Sequence, residues 1–410
     1  MNVCVLGCWH LGSVTAAGLA ALGHRVTGLD PDAALVARLG AAEPALAEPG
    51  LAEALAAGAE QGLLSFTTDP AKALAEAAVL WVTFDTPVDD QDRGDAAWVV
   101  DRVLEVLPSA PSGAVVLVSS QLPVGSTAEI ERRASPAGPR LGFAYSPENL
   151  RLGRAMDSFL HPSRIVVGVR HDEDRATLVA LLGTITDQLV WMSVESAEMT
   201  KHALNAYLAT SVTFANEVAT LCEEVGAEAR DVERALRTDR RVGPGAYVAP
   251  GAAFAGGTLA RDVGYLREVG RSTARPTPLL DAVIASNAAH RSWPLRTLES
   301  ELDDLSQRHI AVLGLTYTPG TSTLRRSASV DLCAALVQRG AVVRAHDPAA
   351  EPLGPPLADD VRREASVESA IDGADAVVIA TAWPEYRALP ADCFASRLVV
   401  DADGLLADTL

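Results

Sequence analysis

Lys201 and Asn205 stand four residues apart in a stretch with helical spacing, so they share one helix face. A lysine so placed can hold or deprotonate a reacting hydroxyl, and an asparagine one turn on can orient that hydroxyl or a water. The plainer alternative is a pair on a surface helix. Near the start of the chain lies a second chemical signal. Gly7-Cys8-Trp9-His10-Leu11-Gly12 follows an apolar run and opens a helical one. Gly7 suits a tight turn and Gly12 lets a helix pack on a strand, an arrangement that sets a pyrophosphate at a helix N-terminus. Asp30 ends the next apolar run, where a carboxylate holds the adenosine ribose and repels a 2′-phosphate. The cofactor expected is therefore NAD, with Trp9, His10 and Leu11 lining the loop. Trp9 takes the place of the usual middle glycine, so its side chain must point away from the cofactor or cover it. A loop that binds nothing is the alternative.

These residues need a scaffold, and the apolar pattern supplies one. Runs at 2–7, 25–30, 79–84, 115–120 and 141–146 read as strands rich in Val, Leu and Ile, each bounded by Gly, Pro, Asp or Ser. Helical patterns at 13–22 and 33–39 lie between them. Near-continuous apolar strands suit a parallel sheet covered on both faces. Thr86 and Gln121 fall just past two strand ends, where cofactor-lining residues belong. From 194 to about 305 the strands give way to helical spacing at 195–225, 231–237 and 278–305, the last kinked at Pro294. The strand–helix alternation then returns, with strands at 310–315, 342–347, 376–381 and 398–401. The fold class expected is α/β: two Rossmann-like doubly wound parallel-sheet domains, 1–193 and 306–410, joined by a helical middle domain, 194–305, with a long connecting helix.

Composition narrows the function. The chain has 410 residues and a net charge of −19, which disfavours a nucleic-acid partner. No apolar run reaches membrane-spanning length, and the N-terminus lacks a signal-peptide pattern, so a cytoplasmic protein is expected. The five cysteines, Cys4, Cys8, Cys222, Cys333 and Cys393, are scattered and suit neither a disulfide frame nor a metal site.

Six ordered segments carry a resemblance. Glu48-Pro49-Gly50-Leu51 is similar to an EPGL turn. Residues 119–125 are similar to STVPVG, and 146–151 to NPEFLRE. Residues 198–206 resemble a helix bearing a catalytic Lys and Asn. Residues 254–262 fall on FGGSCFPKD, a nucleophile loop, and Leu324-Arg325-Arg326-Ser327 on LRES. Together they resemble the UDP-glucose/GDP-mannose dehydrogenase family over nearly the whole chain. The resemblance implies a homodimer through the helical middle domain, with Arg241 reaching the partner's site, and Arg325 reaching the cofactor. It implies catalytic roles for Lys201, Asn205, Asp262 and Glu148, and places Thr258 at the catalytic position of the nucleophile loop, where it would hydrogen-bond the substrate or only fill space. Glu148, Asn149, Leu150, Arg241, Phe254, Gly256 and Gly257 would surround the substrate. Asp262 would accept a proton or tune Lys201; as a residue alone it also suits the N-cap of a helix at 263–269.

The departures matter as much. In that family a cysteine traps the aldehyde and is carried to a thioester; here its position is Thr258, a hydroxyl that stays un-ionised near neutral pH. Gln121, Leu152, Arg261 and Thr318 also replace family residues, and a late arginine is absent around Asp403-Gly404. The expected reaction is one NAD-dependent two-electron oxidation that stops at a carbonyl. A secondary alcohol explains the lost cysteine best. A sugar extended beyond C6, such as the octose of lincosamide antibiotics, presents one at the family's reacting position. Residues 212–217 and 249–254 look closer to GDP-mannose dehydrogenases, which favours GDP. The alternatives are a UDP-sugar enzyme that stops at the aldehyde and a non-catalytic nucleotide-sugar binder.

Overall fold

Aliphatic and β-branched runs become strands throughout this chain because both faces of each sheet are covered. The computed structural model describes residues 1–88, 94–134, 138–148, 150–254, 258–316, 319–322, 324, 327–355 and 357–406. It divides into two compact units, Met1–Ala203 and Leu204–Leu410, with the division falling inside the helix Val194–Val225.

In the first unit β1 (Asn2–Leu6), β2 (Arg25–Leu29), β3 (Leu64–Thr67), β4 (Val79–Val82), β5 (Val115–Val118), β6 (Gly142–Tyr145), β7 (Ile165–Val169) and β8 (Leu189–Met192) form one sheet. Their order is β3-β2-β1-β4-β5-β6-β7-β8. Every pairing is parallel except β6 with β7, where Ala144 faces Val169. Alternate side chains feed two separate cores: Val3, Val5, Trp81 and Leu117 pack on one face, Cys4, Leu6, Leu80 and Val82 on the other. The order reverses between β1 and β4, and the crevice beyond their C-terminal ends is where a doubly wound sheet takes a ligand.

The second unit carries the helices Ala229–Thr238, Thr258–Ser272, Pro278–His290 and Trp293–Leu302. Its sheet contains β9 (His309–Leu313), β10 (Val342–His346), β11 (Val361–Arg363), β12 (Ala376–Ile379) and β13 (Leu398–Asp401), ordered β11-β10-β9-β12-β13 and parallel throughout.

Several expectations change. Strands β3, β7, β8 and β11 were not assigned from sequence. β3 and β11 are short and half polar. β7, with the run IVVGV, carries as clear a strand signal as its neighbours. The single helix expected over 278–305 is two helices broken at Arg291-Ser292. Pro294 stands in the first turn of the second, where its missing N–H costs nothing, and its ring would clash with the His290 carbonyl in a continuous helix. The first helix begins at His10, three residues earlier than expected, so it opens directly from the glycine loop.

Candidate active site and cofactor loop

The cofactor loop is built from backbone. Gly7 has φ +89° and its N–H donates to the Leu29 carbonyl at 2.9 Å. A Cβ at Gly12 would come within 1.8 Å of the Gly7 carbonyl oxygen, so only glycine lets the helix His10–Ala21 approach β1 this closely. The Thr83 hydroxyl beyond β4 donates to the same carbonyl at 2.8 Å. Asp30 is buried at the end of β2; one carboxylate oxygen accepts from Cys8 N–H at 2.7 Å and the other from Asp32 N–H at 2.9 Å. It therefore fixes the glycine loop from below.

Trp9 resolves its own difficulty: it is 48% exposed and lies edge-on to His10, so its bulk stands outside the turn. The first turn of the helix contains no acid to compete with a pyrophosphate. These features fit NAD: Gly7, Gly12 and the helix N-terminus would take the pyrophosphate and Asp30 the ribose. NAD, when bound, supplies the hydride acceptor. Leu11 is buried in the first turn. The Thr86 hydroxyl donates to the Gln121 carbonyl at 2.7 Å, joining the ends of β4 and β5. The His10 ring is committed elsewhere: its Nε2 lies 2.9 Å from the Glu48 carboxylate.

The second unit repeats the device. Gly314 has φ +95° and donates to the His346 carbonyl at 2.8 Å, while Asp347 accepts from Leu315 N–H, Thr316 N–H, Ala349 N–H and Ala350 N–H. Those backbone donors hold its carboxyl below the ordinary range against the opposing effect of burial, which is the largest single influence and pushes the other way.

The polar face of the long helix organises the rest of the site. Lys201 is buried, and its ammonium donates to the Glu148 carbonyl oxygen at 2.6 Å and to the Glu148 carboxylate at 3.2 Å. Leu150 N–H donates to the other carboxylate oxygen at 2.8 Å. On the same helix Glu198 accepts from Gly125 N–H and Thr127 N–H at 2.6 and 2.9 Å, and His202 Nε2 donates to the Leu122 carbonyl at 2.9 Å. Both therefore tie down the turn that follows Gln121. One turn beyond Lys201, the Asn205 amide donates to the Asp262 carboxylate.

Asp262 is fully buried. It is the fifth residue of the helix Thr258–Ser272, which corrects its alternative reading as the cap of a helix at 263–269. Thr258 opens that helix, exposed, with Asp262 one turn on along the same face. Phe254 is held by Asn287, which accepts from its N–H and donates to its carbonyl, both at 2.9 Å. Arg241 is exposed and grips Asp239 through two guanidinium nitrogens. Asn149, Gly256, Gly257 and Arg325 lie outside the described residues.

Comparison with known proteins decides the family. Residues 1–186 match the NAD binding domain of the UDP-glucose/GDP-mannose dehydrogenase family, residues 195–289 its central domain, and residues 311–409 its UDP binding domain. The chain belongs to this family. It is an NAD-dependent nucleotide-sugar dehydrogenase. It is similar to the UDP-glucose 6-dehydrogenase of Pseudomonas aeruginosa, with 32% identity over 94% of this chain and 89% of that protein. The corresponding enzyme of Rickettsia bellii is 30% identical over 95% of this chain and 91% of its own length. Among solved structures, a UDP-glucose dehydrogenase from Pyrobaculum islandicum superposes with a TM-score of 0.88 at 32% identity, covering 98% of this chain and 93% of that one. The GDP-mannose dehydrogenase of Pseudomonas aeruginosa aligns at 25% identity and a TM-score of 0.55, over 99% of this chain and 97% of its own.

The cysteines of this dehydrogenase are poorly suited to take over from Thr258. Cys4, Cys8, Cys222 and Cys333 are buried and Cys393 half-buried. Burial pushes the Cys8 thiol well above its usual range, with the nearby Asp30 charge adding to the effect, and pushes Cys333 up to about 12. Cys222 stands twenty-one residues along the helix from Lys201, about 31 Å at 1.5 Å per residue.

Two contributors escaped the sequence reading. Glu48 is buried and accepts from Gly153 N–H and Ala155 N–H as well as meeting His10, so it braces the loop after Glu148. Glu198 braces the Gln121 turn. Glu48 lay inside a recognised turn motif, but nothing local in the sequence names partners a hundred residues away.

Proposed function

We propose that this dehydrogenase carries out a single NAD-dependent two-electron oxidation, of a secondary alcohol to a ketone, on a GDP-linked long-chain sugar of the octose type oxidised at C6. Such a sugar would belong to antibiotic or other specialised biosynthesis. The observation that carries the reading is Thr258: the residue opening the helix one turn before buried Asp262 is a hydroxyl, four of the five cysteines are buried, and Cys393 packs against the core of the second sheet. Lys201 holds the reacting hydroxyl and takes its proton. Asn205 orients the hydroxyl or a water, and Asp262 holds that amide and receives the proton onward. Glu148 positions Lys201 and meets the sugar beside it. A ketone has no hydrogen left on the oxidised carbon, so no covalent adduct is needed and the reaction ends there.

The nucleotide assignment rests on residues 212–217 and 249–254. The named relatives act on UDP-glucose, which favours a second reading: a UDP-sugar enzyme that stops at the aldehyde. NADH absorbance with a panel of GDP- and UDP-linked hexoses and longer sugars separates them. Turnover only with a GDP-linked long-chain sugar supports the first, and turnover with UDP-glucose the second.

The second copy belongs to the same proposal. Leu204, Tyr207, Ser211, Phe214, Val218, Leu221 and Val225 follow a three–four spacing along the long helix. Tyr207, Phe214, Leu221 and Val225 are each more than half exposed. An apolar seam of this period matches a copy of itself, so it supports a homodimer through the helical region.

A further inference from the structure

The Glu48 side chain is wholly buried, and its two oxygens meet two different parts of the first unit. One oxygen lies 2.9 Å from His10 Nε2 and accepts from Gly153 N–H at 3.0 Å; the other accepts from Ala155 N–H at 3.2 Å. A carboxylate offers only lone pairs, so His10 Nε2 carries a proton. His10 opens the helix that follows the glycine loop, and Ala155 opens the helix that ends the loop after Glu148. One carboxylate therefore joins the cofactor turn to the loop that carries the grip on Lys201. A buried charge is tolerated only while its partners are in place, so a displacement on one side is felt on the other.

The surrounding packing makes this link stiff. Leu51 N–H donates to the Glu48 carbonyl at 3.1 Å, and Leu51 and Leu55 are buried in the core, so the carboxylate stands on a fixed base. The helix Ala155–Leu160 packs closely on the helix His10–Ala21: a Cβ at Gly18 would come within 2.3 Å of the Phe159 ring. Between its ends the loop is exposed from Arg151 to Arg154. Its place is set at one end by the Glu148 carboxylate, which accepts from Leu150 N–H at 2.8 Å, and at the other by Glu48.

We propose that Glu48 is a positioning residue that couples the cofactor turn to the Lys201–Glu148 pair. A pyrophosphate held by the first turn orders His10, and the imidazole projecting from that turn is ordered with it. The ordering passes through the carboxylate to Gly153 and Ala155 and so steadies the loop that begins at Glu148. Coupling of this kind is reciprocal, so a sugar gripped at Lys201 favours the cofactor by the same factor. Only that last consequence rests on the Lys201 role proposed above, and the coupling holds whichever sugar or nucleotide is used.

Hydrogen exchange of the full-length protein over residues 150–155 tests it, with NAD and with ADP-ribose, which carries the pyrophosphate without the nicotinamide ring. In the wild type each ligand at saturation slows exchange there roughly fivefold or more. His10→Phe removes the donor and abolishes the slowing at saturating NAD. His10→Gln, whose amide N–H reaches the place of the imidazole Nε2, restores it. Exchange over 150–155 that ignores NAD overturns the proposal. Slowing by NAD and not by ADP-ribose also overturns it, because direct contact with the nicotinamide would then account for the effect. Slowing that survives in His10→Phe overturns it as well. The comparison of the two ligands uses the wild type alone and so does not depend on a variant's folding. A Lys201→Ala enzyme with an unchanged rate would overturn the Lys201 role and leave the coupling standing.

Discussion

Lys201 is gripped twice by Glu148: its ammonium donates to that residue's carbonyl oxygen at 2.6 Å and to its carboxylate at 3.2 Å. A buried lysine held at both a backbone and a side-chain oxygen is oriented before substrate arrives, which is what a group acting on one hydroxyl requires. Lys201→Ala is expected to lower the rate by roughly 10²–10⁴-fold, the span of a lost general acid–base group. NAD affinity, followed by fluorescence titration, is expected to stay at the wild-type value, since the proposed role of Lys201 is on the hydroxyl and not on the cofactor. A parallel loss of NAD affinity would show that the substitution had disturbed the cofactor loop instead.

Asp30 places a carboxylate at the end of β2 and ties it to Cys8 N–H. A 2′-phosphate brought there meets like charge, so NADP is expected to bind at least roughly tenfold more weakly than NAD. Direct titration of both cofactors measures this, and tighter NADP binding contradicts the assignment. Asp30→Ala weakens NAD as well, because the loop loses its brace.

The exposed seam on the helix Val194–Val225 predicts a subunit interface. Phe214→Glu or Leu221→Glu sets a charge in the middle of that seam, where a dimer would have to desolvate it. Light scattering is expected to show a dimer for the wild type and a monomer for either variant. A wild-type monomer at micromolar concentration removes the interface.

Three histidines set a pH window for stability. Burial lowers the pKa of His24, His290 and His346 below the ordinary 6.5. The unfolded chain protonates these imidazoles near 6.5 while the folded protein does not. Their contribution is therefore whole above that pH and is lost as pH falls from about 6.5 toward the depressed folded values. Asp347, whose carboxyl is depressed, loses its contribution only at lower pH, below about 4. Thermal melts from pH 8 to 5 are expected to show a falling midpoint that begins near 6.5. A midpoint flat across that interval contradicts the burial of these rings.

Much of the fold is legible in the residues because burial on both faces leaves a plain mark. The run at 79–82 is buried at every position, and the helix read at 195–225 is observed as Val194–Val225. The strands overlooked at Leu64–Thr67 and Val361–Arg363 sit at sheet edges, where half-polar sequence is tolerated and the apolar signal fades. Asp262 has the chemistry of a helix cap and the location of a buried acid. Only its partner Asn205, fifty-seven residues away, tells the two apart. Pairs set four apart on one helix, such as Lys201 with Asn205, can be read from spacing. Pairings such as Glu48 with Gly153 or Glu198 with Gly125 cannot, because folding alone brings them together.

The central claim concerns the count of electrons. Losing a second hydride requires a tetrahedral adduct at the carbonyl carbon. Thr258 is too weakly acidic to form one by attack, and a secondary alcohol leaves no hydrogen for a second transfer. Thr258→Cys should therefore not raise the yield with the true substrate. The decisive measurement is NADH formed per sugar consumed, paired with product mass spectrometry on the wild-type enzyme. The account predicts one NADH and a product lighter by two hydrogens; two NADH with a gain of oxygen would contradict it.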